Sequence, residues 1–349
     1  MFQTEIESST PVFSDMSLEV SEEGRQGNFG WARRALFLYN PAQNFIPRVM
    51  LTESDTYIVF SATHLFVFEI INSGWMCSIL VTALSIREKK IFTKIINFHP
   101  YFSSFPLPQG SESGSIRIRR AGIQAHFITM EQGNRIIKVD IPHFGRDNML
   151  RGELVLTMQD DAQSIVTNLP WPHERARFQY TRCSPWFFAE GIIQFENKEI
   201  VFSKGLSWGI FLWKRIARPR HDTHYWAAAS GISGGRHISF SLGYGSVDTA
   251  YATENAFFIN SRLHKLDFVT FKSSTVSWLQ PWYFTSSDGR LSMRFNPLEM
   301  DGQRYASIRH SASIDRVFGV FSGVFSSEDN RPIEFNDITG VIERGKTRK

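Results

Sequence analysis

Apolar and polar residues alternate with a period of two from one end of the chain to the other, and long stripes at helical spacing are scarce. A strand turns successive side chains to opposite faces, so this pattern commits the chain to sheets with a buried side. Ile116 and Ile118 alternate with Arg117 and Arg119, and Ile238, Phe240 and Leu242 with Ser239 and Ser241. Leu291, Met293 and Phe295 alternate with Ser292, Arg294 and Asn296, and residues 77–84 read as a wholly buried strand. Two hairpins are explicit. Ile193 and Phe195 return as Ile200 and Phe202 through a turn at Asn197-Lys198, and Ala256–Ile259 turns at Asn260-Ser261-Arg262 into residues 263–266. Short strands at this spacing predict an all-β chain of antiparallel barrels or sandwiches.

A length of 349 residues exceeds one minimal domain. Periodicity breaks near residues 168–182, at Leu169-Pro170-Trp171-Pro172-His173. Two β domains are therefore predicted, over residues 27–175 and 176–343, after a flexible arm at 1–26 and before a basic tail at 344–349. The 31 Phe, 9 Trp and 9 Tyr predict a thick core or an aromatic-lined cavity. Basic residues exceed acidic ones by 38 − 34 = 4, and residues 344–349 hold four bases and no acid, so the rest is formally neutral. No face built for nucleic acid follows from that balance, and Arg117, Arg119 and Arg120 read as a solvated outer face.

Two cysteines, Cys77 and Cys183, do not make a secreted disulfide framework, though one pairing is open to them. Residues 70–86 carry no charge, but Asn72-Ser73-Gly74 reads as a turn between two strands and not as part of a membrane span. With no signal-peptide pattern at the start, a cytoplasmic location without a transmembrane segment is expected.

Several chemical signatures are missing: there is no GxxxxGK(S/T), HExxH, CxxC or complete GxGxxG, so no cofactor is expected. Gly205-Leu206-Ser207-Trp208-Gly209 matches a nucleophile elbow, yet the alternating βα units that motif needs are absent, and a glycine-rich β connection is the better reading. His221, Asp222 and His224 could offer metal ligands but do not close a tetrahedral site, so no metal is expected. The densest polar stretch runs over residues 221–264. It holds His224, Tyr225, Trp226, a run of small residues ending in Ser230-Gly231, Gly243-Tyr244-Gly245, Thr253-Glu254-Asn255 and His264. So much glycine among mixed polar groups suggests backbone approaching a ligand closely, or buried polar groups satisfying tight turns.

These residues carry a resemblance. Gly30-Trp31-Ala32-Arg33-Arg34, Arg177-Phe178-Gln179-Tyr180-Thr181, Ala189-Glu190-Gly191, Tyr225 through Gly231, Thr253 through Phe258, Leu263-His264-Lys265-Leu266 and Phe318-Gly319 with Phe321-Ser322-Gly323 resemble the bacterial family called domain of unknown function 2804. That family is similar to two-domain lipocalin-like proteins that include carotenoid hydratases and fungal pericyclases. The resemblance implies two tandem lipocalin-like antiparallel β-barrel or sandwich domains and a hydrophobic small-molecule partner of lipid or isoprenoid type. The expected function is binding of that molecule, and the alternative is an enzyme, a hydratase, isomerase or pericyclase, on a polyene or terpenoid. For the enzyme, Glu254 or Asp222 is the candidate acid. The candidate ligand-binding residues are His224, Trp226, Ser230, Asn255, His264 and Trp31.

Overall fold

The computed structural model describes residues 16–17, 29–35, 37–39, 46–74, 76–98, 106–120, 122–130, 133–145, 149–172, 174–217, 219, 221–245, 247–306, 311–329 and 331–348. Apart from one 3-10 turn at Arg48–Met50, every regular element among them is a strand. The first sheet runs in the order Lys90–Phe98, Cys77–Ser85, His64–Asn72, Leu51–Phe60, Trp208–Ala217, Glu174–Phe195, Leu150–Thr157, Arg135–Ile141, Ile123–Thr129, Gly114–Arg120. Ile165–Trp171 pairs beside Glu174–Phe195 and carries Gly30–Ala32, while Lys198–Phe202 folds back on the end of Glu174–Phe195. The second sheet runs Arg262–Lys265, Ala256–Ile259, Arg236–Gly245, His221–Ser233, Pro332–Arg348, Ser311–Ser326, Leu291–Ala306, Trp282–Ser286, Val269–Lys272.

Each sheet curls on itself. Tyr57 stacks on Phe127 at 5.5 Å although their strands stand far apart in the first sheet, and Phe257 stacks on Phe325 at 4.2 Å across the second. The aromatic excess is thus spent on closing two half-barrels. The all-β, tandem expectation is met.

Three local readings differ from the sequence expectation. The break at residues 168–182 is a hairpin within the first sheet, where Asn168 pairs with Tyr180, and membership changes only between Ala217 and His221. Residues 344–348 are the end of strand Pro332–Arg348, not a tail: Arg344 pairs with Tyr225 and binds Asp315, so its charge is needed inside the fold. The first hairpin turns at Glu196-Asn197, both left-handed, because Phe195 pairs with Lys198. The arm at 1–26 lies outside the described residues except Met16–Ser17, which pair in parallel with Phe37–Leu38.

The half-barrels pack face to face, and two buried polar fastenings cross between them. In strand Trp208–Ala217 all ten residues are buried. Lys214 and Arg215 therefore point to opposite faces, each into protein. Lys214 Nζ lies 3.3 Å from Glu343 Oε1 on the second sheet. Arg316 donates to Glu343 Oε2 at 2.8 and 2.9 Å, and its Nη2 reaches back to Glu69 Oε2 of the first sheet at 2.5 Å. Burial opposes ionising Glu343, but Lys214, Arg316 and His224 outweigh it and hold the carboxyl well below the usual range.

The second fastening is His237, stacked on Trp208 of the first sheet at 4.2 Å. Its Nε2 lies 2.8 Å from Ser230 Oγ, and the Gln159 amide meets its Nδ1 at 3.1 Å. Burial pushes His237 down to about 4.

Arg316→Ala strands two buried carboxylates and is expected to cost about 3–5 kcal/mol in urea unfolding. His237 takes its proton at a lower pH in the folded than in the unfolded chain. Its contribution is therefore full above about 6.5 and is lost as pH falls toward about 4, by up to about 3 kcal/mol. The urea midpoint of the wild type should fall across that window, and that of His237→Gln should fall less.

Candidate functional site

Between the sheets lies a cleft built by the alternation itself. On the first sheet Gln179, Thr181 and Cys183 pair with Ile216, Lys214 and Leu212, so all six side chains share the face turned to the second sheet. Opposite them stand His224, Trp226, Ser241 and the loop residues Thr253 and Glu254, with Tyr244 and Phe268 at the rim. The rim rings lie 5.6 Å apart and each is more than a third exposed. The enclosed volume is about 30 Å3, which is room for about two waters.

Glu254 sits at the centre. Its Oε1 accepts a hydrogen bond from Gln179 Nε2 across the cleft and lies 3.5 Å from Thr181 Oγ1. A Cβ at Gly243 would come within 2.4 Å of Glu254 Oε2, so only glycine leaves space for this carboxyl. The loop that carries it is pinned: Asn255 Oδ1 accepts from Gly243 N and its Nδ2 donates to Asp267 O, each at 2.8 Å. Thr253 Oγ1 donates to Leu266 O at 2.9 Å. Trp226 is buried, donates from Nε1 to Ser241 Oγ at 3.0 Å, and has the Lys214 ammonium 5.4 Å from its ring. His224 lies over Gly345, where any Cβ would strike the imidazole. Its Nδ1 is 3.2 Å from Asp222 Oδ2. Burial pushes the Cys183 thiol up to about 12, so it is no nucleophile at neutral pH.

Of the residues singled out in the sequence, Glu254, His224 and Trp226 meet in this cleft. Asp222 is buried beside His224 and is not part of the cleft wall. Asn255 is spent on the loop backbone. Ser230 belongs to the His237 fastening. His264 lies against Phe325 and 3.6 Å from Glu328, on the far edge of the second sheet. Trp31 pairs opposite Thr167 and stands near Arg33 and Lys265. Ser207 of the G-x-S-x-G match is buried in a β turn, where its Oγ accepts from Ser203 N. Both cysteines are buried free thiols. Among the described residues no cluster of three His, Cys, Asp or Glu could hold a metal, and no helix is long and apolar enough to cross a membrane.

Gln179, Thr181 and Lys214 escaped sequence reasoning. The available signal was Lys214-Arg215 inside an otherwise apolar strand, since charges there must meet partners.

The family model described as domain of unknown function (DUF2804) matches residues 6–348. No curated protein sequence matches the chain. Among solved structures, CghA with Sch210972 is similar with a TM-score of 0.57 at 10% identity, over 86% of this chain and 89% of that one. Kievitone hydratase from Nectria haematococca is similar with a TM-score of 0.50 at 10% identity, over 84% and 88%. At these identities the likeness is one of fold.

Because Trp226 is packed between the sheets, Trp226→Ala is expected to cost about 3–5 kcal/mol in urea unfolding. Trp226→Phe, which keeps most of the ring but leaves Ser241 Oγ without its donor, should cost about 1–2 kcal/mol in the same measurement.

Proposed function

The chain belongs to the DUF2804 family, and on that premise we propose that it is an enzyme that binds an apolar, unsaturated small molecule in the cleft between its sheets and transfers a proton to it from Glu254. One observation carries this reading: a carboxyl group on a loop of the second sheet, hydrogen-bonded to Gln179 of the first, shares a cleft with the indole of Trp226 and with Leu212, Ile165 and Phe268. That is the pairing an alkene protonation requires, an acid beside a ring face that steadies the developing cation.

In a hydration, Glu254 gives its proton to one alkene carbon and water adds to the other. The proton that the water sheds returns to the Glu254 carboxylate, directly or by way of His224, which Asp222 orients. One molecule of water is consumed and the acid is restored. Gln179 holds the charge of the carboxylate form. The enclosed volume suits the water, while the body of an isoprenoid or lipid-like substrate needs the rim rings Tyr244 and Phe268 to swing outward. Two similar folds, one named a hydratase and one solved with a small molecule, support a small-molecule site on this architecture.

A panel of isoprenoid alcohols and polyene fatty acids incubated in D2O tests the reading by mass spectrometry. Wild type should place deuterium on carbon or add the mass of one water, and Glu254→Gln should lose at least about a hundredfold of that rate. Equal incorporation by the two proteins would remove Glu254 from the chemistry. Binding of the panel, read by Trp226 quenching, without any conversion would leave a carrier in place of an enzyme.

A further inference from the structure

The interior of the first half-barrel holds an arrangement that the cleft does not use. Arg135, Arg182 and Arg215 are all buried there. Arg215 has its own carboxylate, Asp55, at 2.8 Å. Neither Arg135 nor Arg182 has a carboxylate of its own at that depth: Asp55, which Arg215 holds, acts on Arg135 only through its charge, and Arg135 also meets the neutral Tyr57 hydroxyl. Instead they converge on one residue of the surface strap 106–113. Arg135 Nη2 donates to Ser111 O at 2.6 Å, and Arg182 Nη1 donates to Ser111 Oγ at 2.9 Å.

Their other contacts are neutral or exposed. Arg135 Nη1 donates to Thr129 Oγ1 at 2.6 Å and its guanidinium lies 3.5 Å from the centre of the Phe211 ring, while its buried Nε has no hydrogen-bond partner. Arg182 Nε donates to Ser164 Oγ at 3.2 Å, and its Nη1 reaches Glu112 Oε1 at 3.2 Å, a side chain 63% exposed. Burial pushes both groups below the usual arginine value, and at Arg182 the charge of Arg135 adds to the effect. Two adjacent buried cations are costly unless an anion completes them.

We propose that the Arg135–Arg182 pair is an oxyanion site, closed by the strap through Ser111 and Glu112, and that a carboxylate or phosphate group occupies it by displacing them. A planar guanidinium pair offers the fork geometry that such oxygens take. The strap competes for the site because it supplies a carbonyl, a hydroxyl and one exposed carboxylate. Entry is short: Ser111 is buried but Gly110 and Glu112 on either side of it are exposed. Arg182 follows Thr181 in the strand and faces the other way, so this site and the cleft lie on opposite faces of one sheet and stand or fall separately.

The test is thermal unfolding of the full chain in sodium phosphate and in sodium octanoate, against sodium chloride at matched ionic strength. The midpoint should rise with one or both oxyanions above the chloride control. Glu112→Gln and Ser111→Ala, which remove competing acceptors, should strengthen that response by about tenfold in apparent affinity. Arg182→Lys should abolish it, while Arg117→Ala with Arg119→Ala on the outer face should leave it intact. A response to phosphate alone identifies a free anion as the occupant; a response to octanoate alone identifies the head of an apolar acid. No rise over chloride in wild type and in Glu112→Gln overturns the proposal, as does an undiminished response in folded Arg182→Lys. Should Arg182→Lys fail to fold, the Glu112→Gln arm decides: an affinity that does not increase overturns it.

Discussion

A lysine and an arginine stand side by side in a strand buried on both faces, and much of the molecule is arranged around them. Strand geometry sends Lys214 and Arg215 in opposite directions, and burying either charge alone costs several kcal/mol. Each therefore carries its own set of partners. Lys214 begins a ladder of alternating charge, with Glu343, Arg316 and Glu69, that passes from the first sheet to the second and back. Arg215 looks into the half-barrel, where it takes Asp55 and the Pro108 carbonyl of the strap. A slip of one residue in this strand would exchange the two and leave both sets unpaired. The buried pair thus specifies register more firmly than the surrounding Phe and Trp, which tolerate either face.

The cleft inherits its rigidity from that ladder. Lys214 ends the chain of charges and also lines the cleft floor beside Trp226. Strands on both sides are hydrogen-bonded along their length, so the walls cannot part without breaking the ladder. What can move is the rim, where Tyr244 and Phe268 are more than a third exposed and make ring contacts to each other and, for Tyr244, to Tyr225 and Phe271. Access is then a matter of side-chain rotation, and the carboxyl at the centre stays fixed by Gln179 and by the pinned loop around Asn255.

How much of this could be read in the sequence follows from the range of each interaction. Alternation is local, so the strands around Ile116, Phe240 and Met293 were legible, as were the hairpins. The dense stretch over residues 221–264 pointed to Glu254, Trp226 and His224 because glycine and mixed polar groups crowd together there. Its partners were not legible, since Gln179 is 75 residues from Glu254 and meets it only through the packing of two sheets. The boundary was misplaced for a related reason. Pro170 and Pro172 resemble a linker but sit at an irregular hairpin end, whereas sheet membership changes between Ala217 and His221, where a lone Pro219 between two arginines is a much weaker mark in the sequence.

Chains about 10% identical to this one share its architecture, which limits where their chemistry can differ. Interior positions of each half-barrel are mostly committed to ring packing, the buried arginines of the first apart. The remaining freedom lies in the few side chains that face the opposite sheet and in the short loops that hang over them. Here those are Gln179 and Thr181 on one side and residues 253–255 on the other. Replacing them alters polarity at the cleft without touching either core, so one pair of half-barrels can host unrelated reactions. Glycine at 243 is part of that adjustable set: a Cβ there would press on the Glu254 carboxyl and shift it from its present place.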